Sequence, residues 1–258
     1  MGKIAFTLGP LHFYWYGLIV AAAVLAAFFI VIWQARRQSL PIEPVFDLLF
    51  WSVPAGVVGA RAYYVAANWR LYRDSPLDAL CLWQGGLAVH GALLAFILVL
   101  FLYTRRRRVR FWTWADLAAP ALAGGQAVGQ WANFFNQEAF GYPTNLAWGV
   151  YIDYALRPAG YEQFDYFHPV FLYESAWNVL LLLALLTAGR ALRSLPAGAL
   201  FLTYIILYAA GHYYFAGLRL DGEIVCGVSL ARLFSILAAA AAALGLLLCG
   251  RRPPAEEQ

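Results

Sequence analysis

Seven long apolar segments constrain the fold of this chain more than any other feature. An α-helix of about 20 apolar residues crosses the hydrocarbon core of a bilayer. Only 12% of the residues are charged and 63% are hydrophobic, which leaves too few charges to cover the surface of a soluble domain. The sequence therefore predicts an all-α integral membrane protein with about seven transmembrane helices. The predicted spans are 14–33, 45–69, 87–103, 114–135, 169–188, 197–215 and 229–249.

The basic residues are distributed unequally between the two ends of the predicted spans. Eleven lysines and arginines follow spans one, three, five and seven, whereas five lie on the opposite side. Because cytoplasmic loops are enriched in Lys and Arg, we expect an extracytoplasmic N-terminus and a cytoplasmic C-terminus. The densest arginine run, 105–110, directly follows a span. We therefore expect it to contact anionic membrane lipid, and we expect no nucleic-acid partner.

One connection, residues 136–167, is long and rich in aromatic, glycine, proline and acidic residues. Long connections are usually functional or form small subdomains. We expect it to form a small extracytoplasmic head, with a strand within 147–152, inserted into a single seven-helix membrane domain that comprises residues 1–258. The first span lacks a basic leader, which indicates an anchored helix rather than a cleaved signal peptide.

Polar side chains are concentrated at the end of the fourth predicted span. The stretch 124–141 contains three glutamines, two asparagines and one carboxylate within an apolar run. At membrane depth such groups face a cavity, a neighbouring helix or a ligand. Three glycines of the stretch would allow a helix or a substrate to approach closely. Two interpretations therefore stay open, because the amides could line a site or could simply join helices to one another. The polar residues are Gln126, Gln130, Asn133, Asn136, Gln137 and Glu138.

Two further residues could carry chemistry. His90 begins the third span, and an imidazole can act as a base near neutral pH; the alternative is a histidine that bonds a neighbouring helix. Arg61 lies inside the second span, where a guanidinium requires an anionic partner. That partner would be a phosphodiester headgroup or an internal carboxylate, Glu138 or Glu174. The three cysteines and four histidines show no metal-ligand spacing, so no metal site and no cofactor are expected.

Six short motifs occur in an order that resembles one family, the bacterial phosphatidylglycerol–prolipoprotein diacylglyceryl transferases. They extend over nearly the whole chain, and the block at 133–141 is the most specific of them. The motifs are WYG (15–17), GARAYY (59–64), GGLAVHG (85–91), NFFNQEAFG (133–141), HPVFLYE (168–174) and LRLD (218–221).

The resemblance implies a seven-helix enzyme of the bacterial plasma membrane with its site toward the outer leaflet. Similar proteins transfer diacylglycerol from phosphatidylglycerol to the lipobox cysteine of a prolipoprotein, forming a thioether and releasing glycerol 1-phosphate. The implied partners are phosphatidylglycerol, the lipobox peptide and membrane lipid. The implied catalytic residues are His90, Gln130, Tyr16 and Glu138, and the implied substrate-binding residues are Arg61, Tyr64, Asn133, Asn136, His212 and Arg219.

The chain departs from the family pattern at positions where arginine is expected. Gln130 and Tyr14 each replace an arginine, and His212 and Ala216 replace an arginine and a glutamate in span six. Loss of one charged donor costs about 3 kcal/mol of transition-state stabilisation, whereas joint loss of an ion pair is milder. An alternative is therefore a divergent paralogue that binds phospholipid or lipoprotein with weak, absent or altered transfer. A transporter is disfavoured because the sequence shows no internal repeat.

Overall fold

The computed structural model describes residues 4–9, 11–73, 75–81, 86, 88–191, 195–220, 224–225 and 228–249. A helix forms at each predicted span. The helices are α1 (Trp15–Arg37), α2 (Glu43–Ala67), α3 (Trp69–Tyr72), α4 (Val89–Arg107), α5 (Phe111–Gly129), α6 (Trp131–Asn136), α7 (Val170–Ala191), α8 (Ala199–Ala216) and α9 (Leu230–Cys249). The strands form three antiparallel pairs: β1 (Ile4–Leu8) with β2 (Leu11–Tyr14), β3 (Val150–Tyr151) with β4 (Tyr166–Phe167), and β5 (Ile224–Val225) with β6 (Val228–Ser229).

Five helices of the described chain are long and apolar enough to cross a membrane, namely α1, α2, α7, α8 and α9. The protein is therefore a predominantly helical membrane protein, as the composition predicts. The helices α4 and α5 have 19 residues each and form where the third and fourth spans are predicted. Helix α4 ends in three arginines, and α5 contains an aspartate and a proline.

The contacts divide the chain into two compact units. The smaller unit comprises residues 32–115, and the larger unit comprises 1–31 together with 116–258. In the smaller unit, α2 and α4 pack in antiparallel orientation. Near one end, Asp47 of α2 accepts hydrogen bonds from Tyr103 Oη at 2.8 Å and Arg107 Nη2 at 3.1 Å. Toward the other end, Gly59 and Gly91 bring the two backbones together, because a Cβ on either would collide with the other's carbonyl oxygen.

In the larger unit, Asp116 of α5 stabilises the start of α8. Its Oδ2 accepts a hydrogen bond from Gly198 N at 2.6 Å, and its Oδ1 accepts one from Phe201 N at 2.8 Å. The first amides of a helix have no acceptor within that helix, and a negative charge complements the positive end of the helix dipole. The carboxylate therefore fixes the point at which α8 begins. Farther along α8, Gly211 leaves room for the ring of Trp177 from α7.

The connection between α6 and α7 has a small core of its own. Phe140, Ile152 and Phe167 are buried against one another, and β3 pairs with β4 beside them. The predicted strand within 147–152 is therefore present but is only two residues long. Gln137 joins the start of this connection to its middle, since its side chain donates to Asp153 Oδ2 and accepts from Asp153 N, both at 2.6 Å.

The Gly59–Gly91 contact predicts a strong effect of a single methyl group. Gly91→Ala would drive its Cβ into the carbonyl of Gly59 and the Cβ of Tyr63. Overpacking of this kind lowers the free energy of unfolding by about 1–3 kcal/mol. We expect a lower midpoint of thermal unfolding for the detergent-purified variant. Gly56→Ala is the matched control, because its Cβ would meet only Ala92 at 4.0 Å; an equal loss of stability in both variants would contradict the prediction.

Candidate active site

The polar stretch of the larger unit is an interrupted helix followed by a sharp turn. Helix α5 ends at Gly129 and α6 begins at Trp131, so Gln130 lies at the junction. After α6 the backbone turns at Gln137 and Ala139, which have φ angles of 56° and 54°. Left-handed backbone is uncommon for residues other than glycine. Here the Gln137–Asp153 hydrogen bonds hold it in place.

Gln130 lies between an acceptor and a donor. Its Nε2 donates a hydrogen bond to Glu174 Oε2 on α7. Its Oε1 accepts one from Asn133 Nδ2 at 2.7 Å. Glu174 is only 5% exposed, and a buried carboxylate is costly unless hydrogen-bond donors face it. Beside it, Ser175 Oγ donates to Ala127 O at 2.7 Å, so the α5–α6 junction is held against α7 by side-chain hydrogen bonds.

A small polar cavity adjoins Glu174. Its volume is about 10 Å³, roughly that of one water-sized sphere. Within it, Tyr208 lies in the electrostatic range of both the Glu174 carboxylate and the Arg219 guanidinium. Glu174, which accepts from Gln130, and His212 therefore line the same cavity. Arg219 lies in the electrostatic range of Tyr208, another lining residue. The lining residues are Glu174, Trp177, Asn178, Tyr208, His212 and Phe215.

The orientation of the His212 ring follows from its neighbours. Its Nδ1 lies 3.0 Å from Ser235 Oγ, and that hydroxyl donates its own proton to Ala231 O at 2.8 Å. A hydroxyl carries a single proton, so His212 Nδ1 must be the donor to Ser235. The ring also stacks on Tyr208, with centroids 5.6 Å apart. In the neutral ring the Nε2 atom is then a hydrogen-bond acceptor.

The start of α1 lies against α6. Trp15 stacks on Phe135 with ring centroids 4.8 Å apart. The next residue, Tyr16, lies within electrostatic range of the Glu138 carboxylate, and Asn136 Nδ2 is 3.4 Å from Glu138 Oε1. The larger unit therefore groups the Tyr16 hydroxyl with an amide and a carboxylate from the end of the polar stretch.

In the smaller unit, Arg61 is buried and holds the segment that precedes α4. Its Nε donates to Ala79 O at 2.8 Å, its Nη2 to Asp78 O at 2.7 Å and its Nη1 to Gly86 O at 3.2 Å. The guanidinium also lies 5.3 Å from the centre of the Tyr72 ring. The contacts of this charge therefore include backbone carbonyls and an aromatic face.

Gly86 lies directly against this arrangement. A Cβ there would collide with the ring of Tyr64, and the φ of +77° favours glycine. Two residues later, Ala88 N donates to Ala60 O at 3.1 Å. Helix α4 begins at the next residue, which makes His90 its second residue. The side chain of His90 lies outside the described residues.

The chain is similar to known proteins over nearly its whole length. The sequence profile of the prolipoprotein diacylglyceryl transferase family matches residues 3–248. The chain belongs to this family. Three cyanobacterial proteins named phosphatidylglycerol–prolipoprotein diacylglyceryl transferase are similar to it. That of Synechococcus elongatus is 42% identical over 95% of this chain and 86% of the relative. That of Parasynechococcus marenigrum is 43% identical over 97% and 95%, and that of Thermosynechococcus vestitus is 41% identical over 93% and 89%.

For this diacylglyceryl transferase family member, seven of the ten predicted site residues lie in the larger unit and three in the smaller unit. Hydrogen bonds join Gln130 to Asn133, and Asn136 to Glu138. Gln126 and Gln137 are hydrogen-bonded within the protein, to Tyr204 and Asp153. For these two amides the structure supports the interpretation that they join elements of the fold. The site roles of the ten residues stay predictions.

Sequence reasoning missed the surroundings of Glu174. Asn178 donates to the Glu174 carbonyl at 2.9 Å, and Ser235 orients His212. Both are polar residues within apolar helices. Spacing could have marked Asn178, because it is one helical turn after Glu174 on the same face. Ser235 gave no such signal, because its partner is on another helix.

The contacts of Arg61 predict that it controls the order of the segment before α4. Arg61→Lys keeps the charge but removes the forked donors that reach three carbonyls. One hydrogen bond to a charged group contributes about 1.5–3 kcal/mol, so we expect amide hydrogen exchange at residues 76–81 and 88–92 to become at least about tenfold faster. Arg70→Lys, at an exposed position on α3, is the matched control. Unchanged exchange in the Arg61 variant would contradict the prediction.

Proposed function

We propose that this protein transfers the diacylglyceryl group of phosphatidylglycerol to the cysteine thiol in the lipobox of prolipoproteins, releasing glycerol 1-phosphate. The observation that carries the proposal is the family match over residues 3–248, together with relatives of that name at about 40% identity over nearly the whole chain. In this proposal the helices α1, α2, α4, α5, α7, α8 and α9 span the plasma membrane. The N-terminus and the 136–167 head lie outside, within a single domain.

The reaction requires a base and a stabilised leaving group. The thiol loses its proton, and the sulfur forms a bond to the glyceryl carbon. The bond between that carbon and the phosphate oxygen breaks, and the electron pair leaves with glycerol 1-phosphate. We assign His90 as the base for the thiol. Arg61, Gln130 and Arg219 orient the phosphate, where donors placed at the developing charge lower the barrier.

The remaining predicted residues hold the substrate. Asn133 and Glu138 position the headgroup, with Tyr16 and Asn136 beside Glu138. Tyr64 lies next to Arg61 and Gly86 at the segment that leads to His90. His212 adds a ring nitrogen near Glu174, in the small polar cavity.

The geometry around Gln130 supports its role as a neutral donor. An amide carries two N–H groups, and the described contact with Glu174 uses one of them. The second can point to a ligand while Glu174 and Asn133 fix the plane of the amide. Glu174 is then a positioning residue that acts through Gln130. Arg219, within electrostatic range of Tyr208 in the same region, would supply the charge that a neutral amide lacks.

A direct test measures transfer to a lipobox peptide in membranes of a cell depleted of its own transferase. We expect the natural chain to modify the peptide and His90→Ala to reduce the rate at least about 100-fold, since general base catalysis contributes about 10²–10⁴-fold. His12→Ala, at an exposed position of β2, is the matched control and should retain the activity. Absence of transfer by a well-expressed natural chain would overturn the proposal.

A second candidate function is a divergent paralogue that binds phospholipid or lipoprotein with weak, absent or altered transfer. The replacement of family arginines by Gln130 and His212 favours it.

Gln130→Arg separates the two candidates. If Arg219 and the amide suffice, the substitution should change the rate less than tenfold. One missing charged donor corresponds to about 3 kcal/mol, or about two orders of magnitude in rate, so a rise near 100-fold would identify an impaired natural enzyme. Gln163→Arg adds the same charge at an exposed position of the head segment and controls for a general charge effect.

A further inference from the structure

A second cavity lies beside the small polar one and is much larger. Its volume is about 410 Å³, within the range of sites that bind small molecules or side chains. Tyr142 and Tyr214 are 48% and 63% exposed, so the cavity opens to the outside of the protein. None of its lining residues is an Asp, Glu, Lys or Arg. They are Tyr142, His168, Tyr173, Tyr214, Phe215 and Leu218.

A chain of hydrogen bonds fixes the polar atoms in the wall. Trp148 Nε1 donates to Tyr173 Oη at 3.0 Å, and the same Oη lies 3.0 Å from His168 Nδ1. If the Tyr173 hydroxyl donates to Nδ1, the His168 Nε2–H is left as a donor; if Nδ1–H donates to the hydroxyl, the Tyr173 O–H is left as a donor. In either tautomer the His168–Tyr173 pair keeps one hydrogen-bond donor. The wall thus combines aromatic surface with one hydrogen-bond donor.

These properties define the ligand class. Aromatic rings and Leu218 favour aliphatic groups, whose removal from water is stabilising. The hydrogen-bond donor of the His168–Tyr173 pair favours a carbonyl oxygen as its partner. A charged group would lose its hydration without meeting an opposite charge among the lining residues. An uncharged peptide segment with aliphatic side chains satisfies all three conditions.

The position of the cavity connects it to the candidate site. Tyr173 directly precedes Glu174, which binds Gln130, and Phe215 lines both cavities. The larger cavity therefore adjoins the small one, which is lined by Glu174, the acceptor of the Gln130 amide. Tyr142 and His168 belong to the segment between α6 and α7, outside the helices. A lipid tail gains little by exchanging hydrocarbon for this wall, whereas a peptide segment arriving from water gains the full burial.

We propose that this aromatic cavity binds the uncharged, aliphatic residues next to the acceptor cysteine of the prolipoprotein. The inference rests on the proposed transferase function. It assigns to Tyr142, His168, Tyr173, Tyr214 and Leu218 a role in selecting the peptide rather than the lipid.

Binding is tested independently of transfer by photo-cross-linking. A benzophenone amino acid at position 214 should cross-link to an acceptor peptide in which the cysteine is replaced by serine. The same group at position 213, which is exposed but does not line the cavity, is the matched control and should cross-link at least about tenfold less. Equal yields at the two positions, or none at position 214, would overturn the proposal.

Specificity is tested by changing the size of the cavity. Leu218→Ala should raise kcat/KM at least about fivefold for a peptide with a bulkier residue before the cysteine, and Leu218→Trp should lower it for a leucine peptide. The KM for phosphatidylglycerol should stay the same in both variants. A change in the KM for lipid alone would assign the cavity to lipid and overturn the proposal. If the natural chain fails to transfer but position 214 still cross-links to peptide, the transferase proposal fails while the binding site stands.

Discussion

The hydrogen bond between Gln130 and Glu174 is the contact on which the candidate site depends. A carboxylate buried among apolar helices must be met by donors, and here the donor is the amide at the α5–α6 junction. The same amide accepts a hydrogen bond from Asn133. The Gln130 side chain therefore connects the polar stretch to α7. Tyr173 precedes Glu174 on α7, and Asn178 follows it by one helical turn. The two cavities then form where α7 approaches α8.

The resemblance to the family implies that this contact replaces a charge by a neutral group. It implies an arginine at position 130, and an arginine and a glutamate at positions 212 and 216, where this chain has Gln130, His212 and Ala216. Replacing all three removes two positive charges and one negative charge from the region, and it leaves Glu174 to be satisfied by an amide. Because removing both partners of a buried ion pair is milder than removing one, the substitutions are mutually consistent as a set. His212, fixed by Ser235 and Tyr208, occupies part of the altered region.

The sequence predicts the positions of the helices well because hydropathy is a local property. Each predicted span matches a helix to within a few residues, except that the fourth, 114–135, is divided at Gln130 into α5 and α6. The partners of the polar groups are not local and were not predicted. Arg61 donates to carbonyls 17 to 25 residues away and contacts an aromatic ring, and the sequence indicates none of these contacts. The Trp148–Tyr173–His168 chain likewise joins positions up to 25 residues apart, and no periodic pattern relates them.

The contact of Asp116 with the start of α8 has a consequence for how the protein assembles. The acceptor precedes the amides by 82 and 85 residues in the chain, so α5 is synthesised well before α8. Until the two helices meet, the leading amides of α8 must be hydrated, which holds that end at the membrane surface. Docking against the carboxylate removes that requirement. The final position of α8 therefore depends on α5 being in place first. The contact thus sets an order in which these two helices assemble.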